Sequence, residues 1–181
     1  MRTGKYIVMT VFTLLSLIVK GQPVKNTSYL NHTGEKVLRL EAVLPVNLDD
    51  AWRLFTVDAN LKKWMAPVAH IELRTGGYIV TNYDAGKSLS DSTSIRLPVI
   101  SFLENELIVL KVNLNNNFPL SARKSDEHLQ EIIQFRKVSK NHTKNISSML
   151  GWGTGADWDK TYDFFARGNE MIFNELIGIY K

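Results

Sequence analysis

The stretch 151–181, GWGTGADWDKTYDFFARGNEMIFNELIGIYK, constrains this chain more than any other part of it. It reads as a turn, a capped start and one long amphipathic helix. At 3.6 residues per turn, Trp158, Tyr162, Phe165, Asn169, Ile172, Phe173, Leu176 and Tyr180 share one face. Asp159, Asp163, Arg167, Glu170 and Asn174 share the other. The inner face is heavily aromatic, with a single amide, Asn169, in its middle. Thr154 with Asp157 three residues on is close to a capping box. An unbroken helix over 155–180 is roughly 39 Å long at ~1.5 Å per residue, enough to cross a whole sheet. Such a helix needs a broad apolar surface beneath it.

The upstream sequence supplies that surface as strands. In 37–44, Leu38, Leu40, Ala42 and Leu44 alternate with Arg39 and Glu41, the pattern of a half-buried strand that Pro45 ends. Asn47 or Asp49 can cap a short helix carrying Ala51, Trp52, Leu54 and Phe55. A second short helical piece covers 59–64, and Pro67 stops it. Ala69, Ile71 and Leu73 alternate with His70, Glu72 and Arg74, Gly76-Gly77 marks a tight turn, and 78–83 is the returning strand. Strands over 95–102 and 107–114 pair around Glu104-Asn105-Glu106. Residues 128–138 and 143–150 make the last hairpin, and 84–91 and 115–126 read as polar loops. Strands and then a helix, in blocks, argue an α+β fold. The expected architecture is a curved antiparallel sheet of about six or seven strands, two short helices after the first strand, and a long C-terminal helix across the concave face. Such an arrangement tends to leave a cavity between helix and sheet.

These pieces, in this order, resemble the START-like (SRPBCC) superfamily with its helix-grip fold. The residues that carry the resemblance are Asp50-Ala51-Trp52-Arg53-Leu54-Phe55-Thr56 with Leu61-Lys62-Lys63-Trp64, then Arg74-Thr75-Gly76-Gly77-Tyr78. Phe102-Leu103-Glu104-Asn105-Glu106-Leu107 follows. Gly151-Trp152-Gly153 through Trp158-Asp159, Tyr162, Phe164-Phe165 and Gly168-Asn169 closes the set. The branch it resembles is named after the C-terminal domain of the heat-shock ATPase activator. The resemblance spans about 37–180 and implies a cavity-bearing domain. The superfamily includes lipid carriers, hormone receptors and polyketide cyclases as well as chaperone activators.

The N-terminus departs from the cytosolic character of those activators. Arg2 and Lys5 precede an apolar run over 6–19, inside the roughly 7–15 residues of a signal-peptide core and short of a bilayer span. Cleavage after Gly21 divides the chain into a signal peptide (1–21), an aperiodic flexible leader (22–36) and a START-like domain (37–181). The expected location is periplasmic or secreted, with no membrane anchor after cleavage. Removing Arg2, Lys5 and Lys20 lowers the net charge from +4 to +1, which gives no argument for nucleic acid. The chain has no cysteine, so disulfides and thiolate chemistry are excluded. Asn-x-Ser/Thr sequons occur at Asn26, Asn31, Asn141 and Asn145, the last in an expected strand.

Catalytic signatures are missing: no Gly-x-Ser-x-Gly elbow, no His-Glu-x-x-His and no phosphate-binding loop. No catalytic residue, metal or cofactor is expected, and the enzyme reading is the weaker one. His70 with Glu72 offers two metal ligands on what reads as a solvated strand face, and a third is not evident. His128 and Glu131 alternate onto opposite faces. Glu131 is the one charge on the row Leu129, Glu131, Ile133 and Phe135, which makes it a candidate polar anchor, acid or base. The candidate ligand-binding set is Trp64, Phe102, Glu131, Trp152, Tyr162, Phe165, Asn169 and Phe173. Three functions suit this pattern. The first is a carrier of a small hydrophobic molecule or lipid. The second is a cyclase- or hydrolase-like enzyme using the same cavity. The third is a protein-interaction module.

Overall fold

A computed structural model describes residues 24–181. The signal-peptide segment lies outside the described residues. Among the described residues, nine antiparallel strands and four helices follow one another. They are β1 (Lys25–Asn26), β2 (Tyr29–Leu30), β3 (Lys36–Leu44), α1 (Leu48–Thr56), α2 (Asp58–Leu61), β4 (Val68–Glu72) and β5 (Tyr78–Asn82). Then come β6 (Ile95–Leu103), β7 (Leu107–Lys111), α3 (Leu120–Arg123), β8 (Gln130–Ser139), β9 (His142–Leu150) and α4 (Ala156–Gly178). The sheet runs β1-β3-β9-β8-β7-β6-β5-β4, with β2 also paired to β3. Seven strands are the expected ones. The two others come from the stretch read as an aperiodic leader, 22–36. Lys25 and Asn26 pair with Glu41 and Leu40, and Tyr29 and Leu30 with Val37 and Lys36. Period-2 alternation is invisible in strands this short, because two residues give one step of the pattern.

Register carries the inner row across the sheet. Leu38, Met149, Glu131 and Leu110 lie opposite one another, as do Leu40, Ser147, Ile133 and Ile108. Residues directly opposite share a face. A bulge in β6 between Val99 and Ser101 shifts the alternation, so Phe102 pairs with Ile108 on the inner side while Ile100 is exposed. Such a bulge bends its strand and helps curve the sheet. Asn105 takes the β6–β7 turn at φ 61°, a left-handed position that Asn tolerates.

Helix α4 has 23 residues, roughly 35 Å at ~1.5 Å each, and follows the expected phase. Trp158, Phe173 and Leu176 are buried, and Asp159, Asp163, Arg167, Glu170 and Asn174 are exposed. Thr161 and Ile177 extend the buried stripe. Its start differs from the expected capping box. Gly155 is the cap at φ 97°, and Thr154 makes no capping hydrogen bond. Asp157 instead accepts a hydrogen bond from the Ser121 hydroxyl of α3, a short helix inside the expected 115–126 loop. At α1 the expectation holds: Asn47 Oδ1 accepts from the Asp50 amide at 2.9 Å.

Two apolar clusters hold α4 to the sheet. The larger joins α1, α2 and the C-terminal half of α4 through Trp52, Phe55, Trp64, Phe135, Phe173 and Leu176. Ring centroids of Phe55 and Trp64 are 4.7 Å apart, and Phe135 meets both Trp52 and Phe55 edge-on at 5.1 Å. The smaller gathers Leu38, Val112, Leu129, Met149 and Trp158 at the other end. Asn145 is wholly buried on β9, so its sequon cannot carry a glycan in the folded domain.

Candidate functional site

Between the two clusters the helix and sheet do not close on each other. A cavity of about 460 Å³ opens there. Its walls are apolar: Phe55, Trp64, Ile79, Leu97, Ile133 and Phe173. The two ends of α4 are tied down by large buried rings, whereas its middle presents Gly168 and Asn169 to the space. Gly168 brings no side chain to fill it. A void without partner atoms costs dispersion energy along its lining, so it persists here because aromatic packing at both ends holds the layers apart. Tyr83, Phe118, Phe164 and Met171 also line the cavity, and Tyr83, Phe164 and Met171 are largely exposed, which marks the mouth.

The polar residues of the lining are Thr81, Tyr83, Asn113, Asn115, Asn117, Glu131 and Asn169. Glu131 is on the inner row of β8, and its Oε1 accepts the Ser147 hydroxyl at 2.6 Å. Burial pushes the Glu131 carboxyl above the usual carboxylate range, against the opposing effect of the Ser147 hydrogen bond. Tyr83 is largely exposed as a side chain, yet desolvation by the surrounding protein, and then the Glu131 charge, raise its hydroxyl. Asn169 Nδ2 donates to Met149 Sδ at 3.1 Å. A thioether is a weak acceptor, so this amide is not strongly satisfied.

Five of the eight sequence candidates line the cavity: Trp64, Glu131, Phe165, Asn169 and Phe173. Trp64 also closes the larger core, its indole N–H donating to the Leu54 carbonyl at 3.0 Å. Phe102, Trp152 and Tyr162 are not on the lining. Phe102 packs against the larger cluster near the β6–β7 turn. Trp152 is held by Tyr162 at 5.0 Å and Phe165 at 5.8 Å, and its indole N–H donates to the Met149 carbonyl at 3.1 Å. Tyr162 sits under the Lys36 ammonium, 5.3 Å from its ring. These rings are already partnered by side chains from elsewhere in the chain, which is why they wall the end of the helix and not the space. Tyr83, Phe164 and Met171 belong to the lining, Ser147 supports it through Glu131, and none of the four was among the sequence candidates. Ser147 alternates with Asn145 and Met149 on β9, the one signal that could have placed it beside Glu131.

His70 does not join this site. Its Nδ1 lies 2.7 Å from Asp58 Oδ2, and Asp58 Oδ1 accepts the Ile71 amide at 2.9 Å. Burial raises the Asp58 carboxyl, but the His70 and Ile71 hydrogen bonds together outweigh it, and the net shift is downward. Among the described residues no group of three His, Cys, Asp or Glu is placed to hold a metal. No described helix is long and apolar enough to cross a membrane.

A twisted antiparallel sheet gripping one long helix over a cavity is the helix-grip, START-like arrangement. The sequence model described as activator of Hsp90 ATPase homolog 1-like protein matches residues 45–180, and the chain belongs to that family. No curated protein matches by sequence. Solved structures share the fold at low identity. A conserved protein of unknown function from Enterococcus faecalis aligns with TM-score 0.60 and 14% identity, covering 87% of this chain and 77% of its own. The Aha1 dimer from Colwellia psychrerythraea aligns with TM-score 0.58 and 16% identity, covering 80% and 92%. An HSP90 activator from Plasmodium falciparum aligns with TM-score 0.52 and 15% identity, covering 76% and 91%. The fold is thus that of a ligand-binding or interaction domain.

Proposed function

We propose that this protein is an exported domain that holds a small hydrophobic or amphipathic molecule between its sheet and α4, without transforming it. The observation that carries the reading is the cavity of about 460 Å³, which falls in the roughly 300–1,000 Å³ range of ligand sites. Its apolar walls would contact a hydrocarbon body, and a few polar groups would orient one end. For acid–base chemistry a second ionisable group should converge on Glu131. The only other one on the described lining is Tyr83, whose raised hydroxyl stays protonated at neutral pH and is no base. This favours binding over the cyclase or hydrolase reading.

The Hsp90-activator relatives favour a second reading, a protein-interaction module. Exposed Phe164 and Met171 on α4 would then contact a partner and not a ligand entering the mouth. Export rests on the charged and apolar pattern of 1–21, and N-terminal sequencing of extracytoplasmic material tests it. Native mass spectrometry of protein purified from its own host separates the two functions. Retained mass of a small molecule, lost on Asn169→Trp, supports the carrier. A protein that carries no small molecule and takes up no uncharged apolar probe refutes it.

A further inference from the structure

The cavity lining is selective in charge. Among its described residues are no Lys, Arg or His, and Glu131 is its one carboxyl. Ser147 occupies only Oε1 of that carboxyl. The other oxygen takes no hydrogen bond or ion pair from a described residue. Above it, Asn169 uses Nδ2 on Met149, and its Oδ1 likewise takes no hydrogen bond from a described residue. The two residues that carry these acceptors both line the cavity and share a neighbour. Met149 is the register partner of Glu131 on the adjacent strand and the hydrogen-bond partner of Asn169 from the helix. The carboxyl on the sheet and the amide on the helix thus both border Met149, beside the same part of the cavity.

Thr81, Tyr83, Asn113, Asn115 and Asn117 add neutral hydroxyls and amides to the lining but no cation, so the free acceptors beside Glu131 define the complementary charge. A carboxylate or phosphate head would bring more negative charge beside Glu131 with no cation to receive it, and in a poorly solvated site that repulsion is strong. A hydroxyl can donate to one of the two acceptors. An ammonium can donate to both at once, and it neutralises the carboxyl in the same step. We propose that the cavity selects amphiphiles with a primary amine head, seated between Glu131 and Asn169 with the hydrocarbon against Leu97, Ile133 and Phe173. The burial that raises the Glu131 carboxyl is consistent with this, because a neighbouring ammonium would favour the charged carboxylate and offset that cost. This inference rests on the carrier reading and adds the chemistry of the ligand's polar end.

The test uses the protein with an uncharged fluorescent probe, N-phenyl-1-naphthylamine, displaced at neutral pH by decylamine, decanol or decanoate. The three share a chain and differ only at the head. Decylamine should bind roughly tenfold tighter than decanol, and decanoate weakest, as expected for a close charge pair in a desolvated site. Glu131→Gln should erase the amine's advantage over decanol. If that variant does not fold, Asn169→Leu serves: it removes the second acceptor and should weaken decylamine more than decanol. Decanoate binding as tightly as decylamine overturns the proposal, and so does an amine preference that survives Glu131→Gln. In those cases decanol still displaces the probe and the carrier reading stands. Failure of the probe and all three amphiphiles to bind overturns both.

Discussion

Truncating Phe173 asks whether α4 secures this domain through its C-terminal half. The ring is 4% exposed and packs with Leu176 and Ile177 in the larger cluster. It is also part of the cavity wall. Phe→Ala in a filled core costs about 3–5 kcal/mol, the lost transfer energy plus the void left behind. Here one side of the ring already meets open space, so it has fewer dispersion contacts to lose. The expected cost is therefore at the low end, about 3 kcal/mol. At about 2–4 °C per kcal/mol for a domain of this size, Tm should fall by about 6–12 °C. Phe165 makes an informative comparison on the same helix. It is half-buried, stacked on Phe118 at 5.4 Å and edge-on to Phe164 at 5.7 Å, so Phe165→Ala should cost about 1–2 kcal/mol. The sequence placed it on the inner face of the helix and among the candidate ligand-binding residues. Asp163→Ala, on the exposed face, should cost under about 0.5 kcal/mol. Urea melts with unchanged m give all three values. Phe173→Ala within about 0.5 kcal/mol of Asp163→Ala would refute the packing argument. Phe165→Ala costing more than Phe173→Ala would refute the gradient of burial along the helix.

Glu131 gives a pH-dependent signature. Its folded carboxyl is raised above the unfolded value, so its contribution is full below the unfolded pKa and is lost as pH rises through the folded one. Wild type should therefore lose stability relative to Glu131→Gln between acid and neutral pH in paired melts, and a difference independent of pH would refute the desolvation. Gly151 has φ 83°, and a Cβ there would stand 1.9 Å from the His128 carbonyl oxygen. Gly151→Ala should cost more than the roughly 1–2 kcal/mol of a left-handed L-residue, and an unchanged Tm would show that this turn is not required. In a host that glycosylates, folded secreted protein should carry no glycan at Asn145, which peptide mass spectrometry can check.

Much of the fold was legible because its signals are local. The 3.6-residue period of 156–178 sets which face of α4 is buried from neighbours one turn apart, and the turns at Gly76-Gly77 and Asn105 follow from backbone chemistry at single residues. Glu131 and Asn169 could be singled out because each interrupts an apolar row, a pattern visible within one element. What the row faces was not legible. Trp152, Tyr162 and Phe165 share a helix end and an aromatic character, yet Phe165 reaches the cavity while Trp152 and Tyr162 are spent on each other and on Lys36. The β6 bulge sets where Phe102 points, and the β8–β9 register brings Ser147 to Glu131 across 16 residues of chain. Periodicity determines the face a side chain takes. Whether that face meets a partner or empty space depends on strand register and on rings from distant segments, and these exist only once the sheet has closed under the helix.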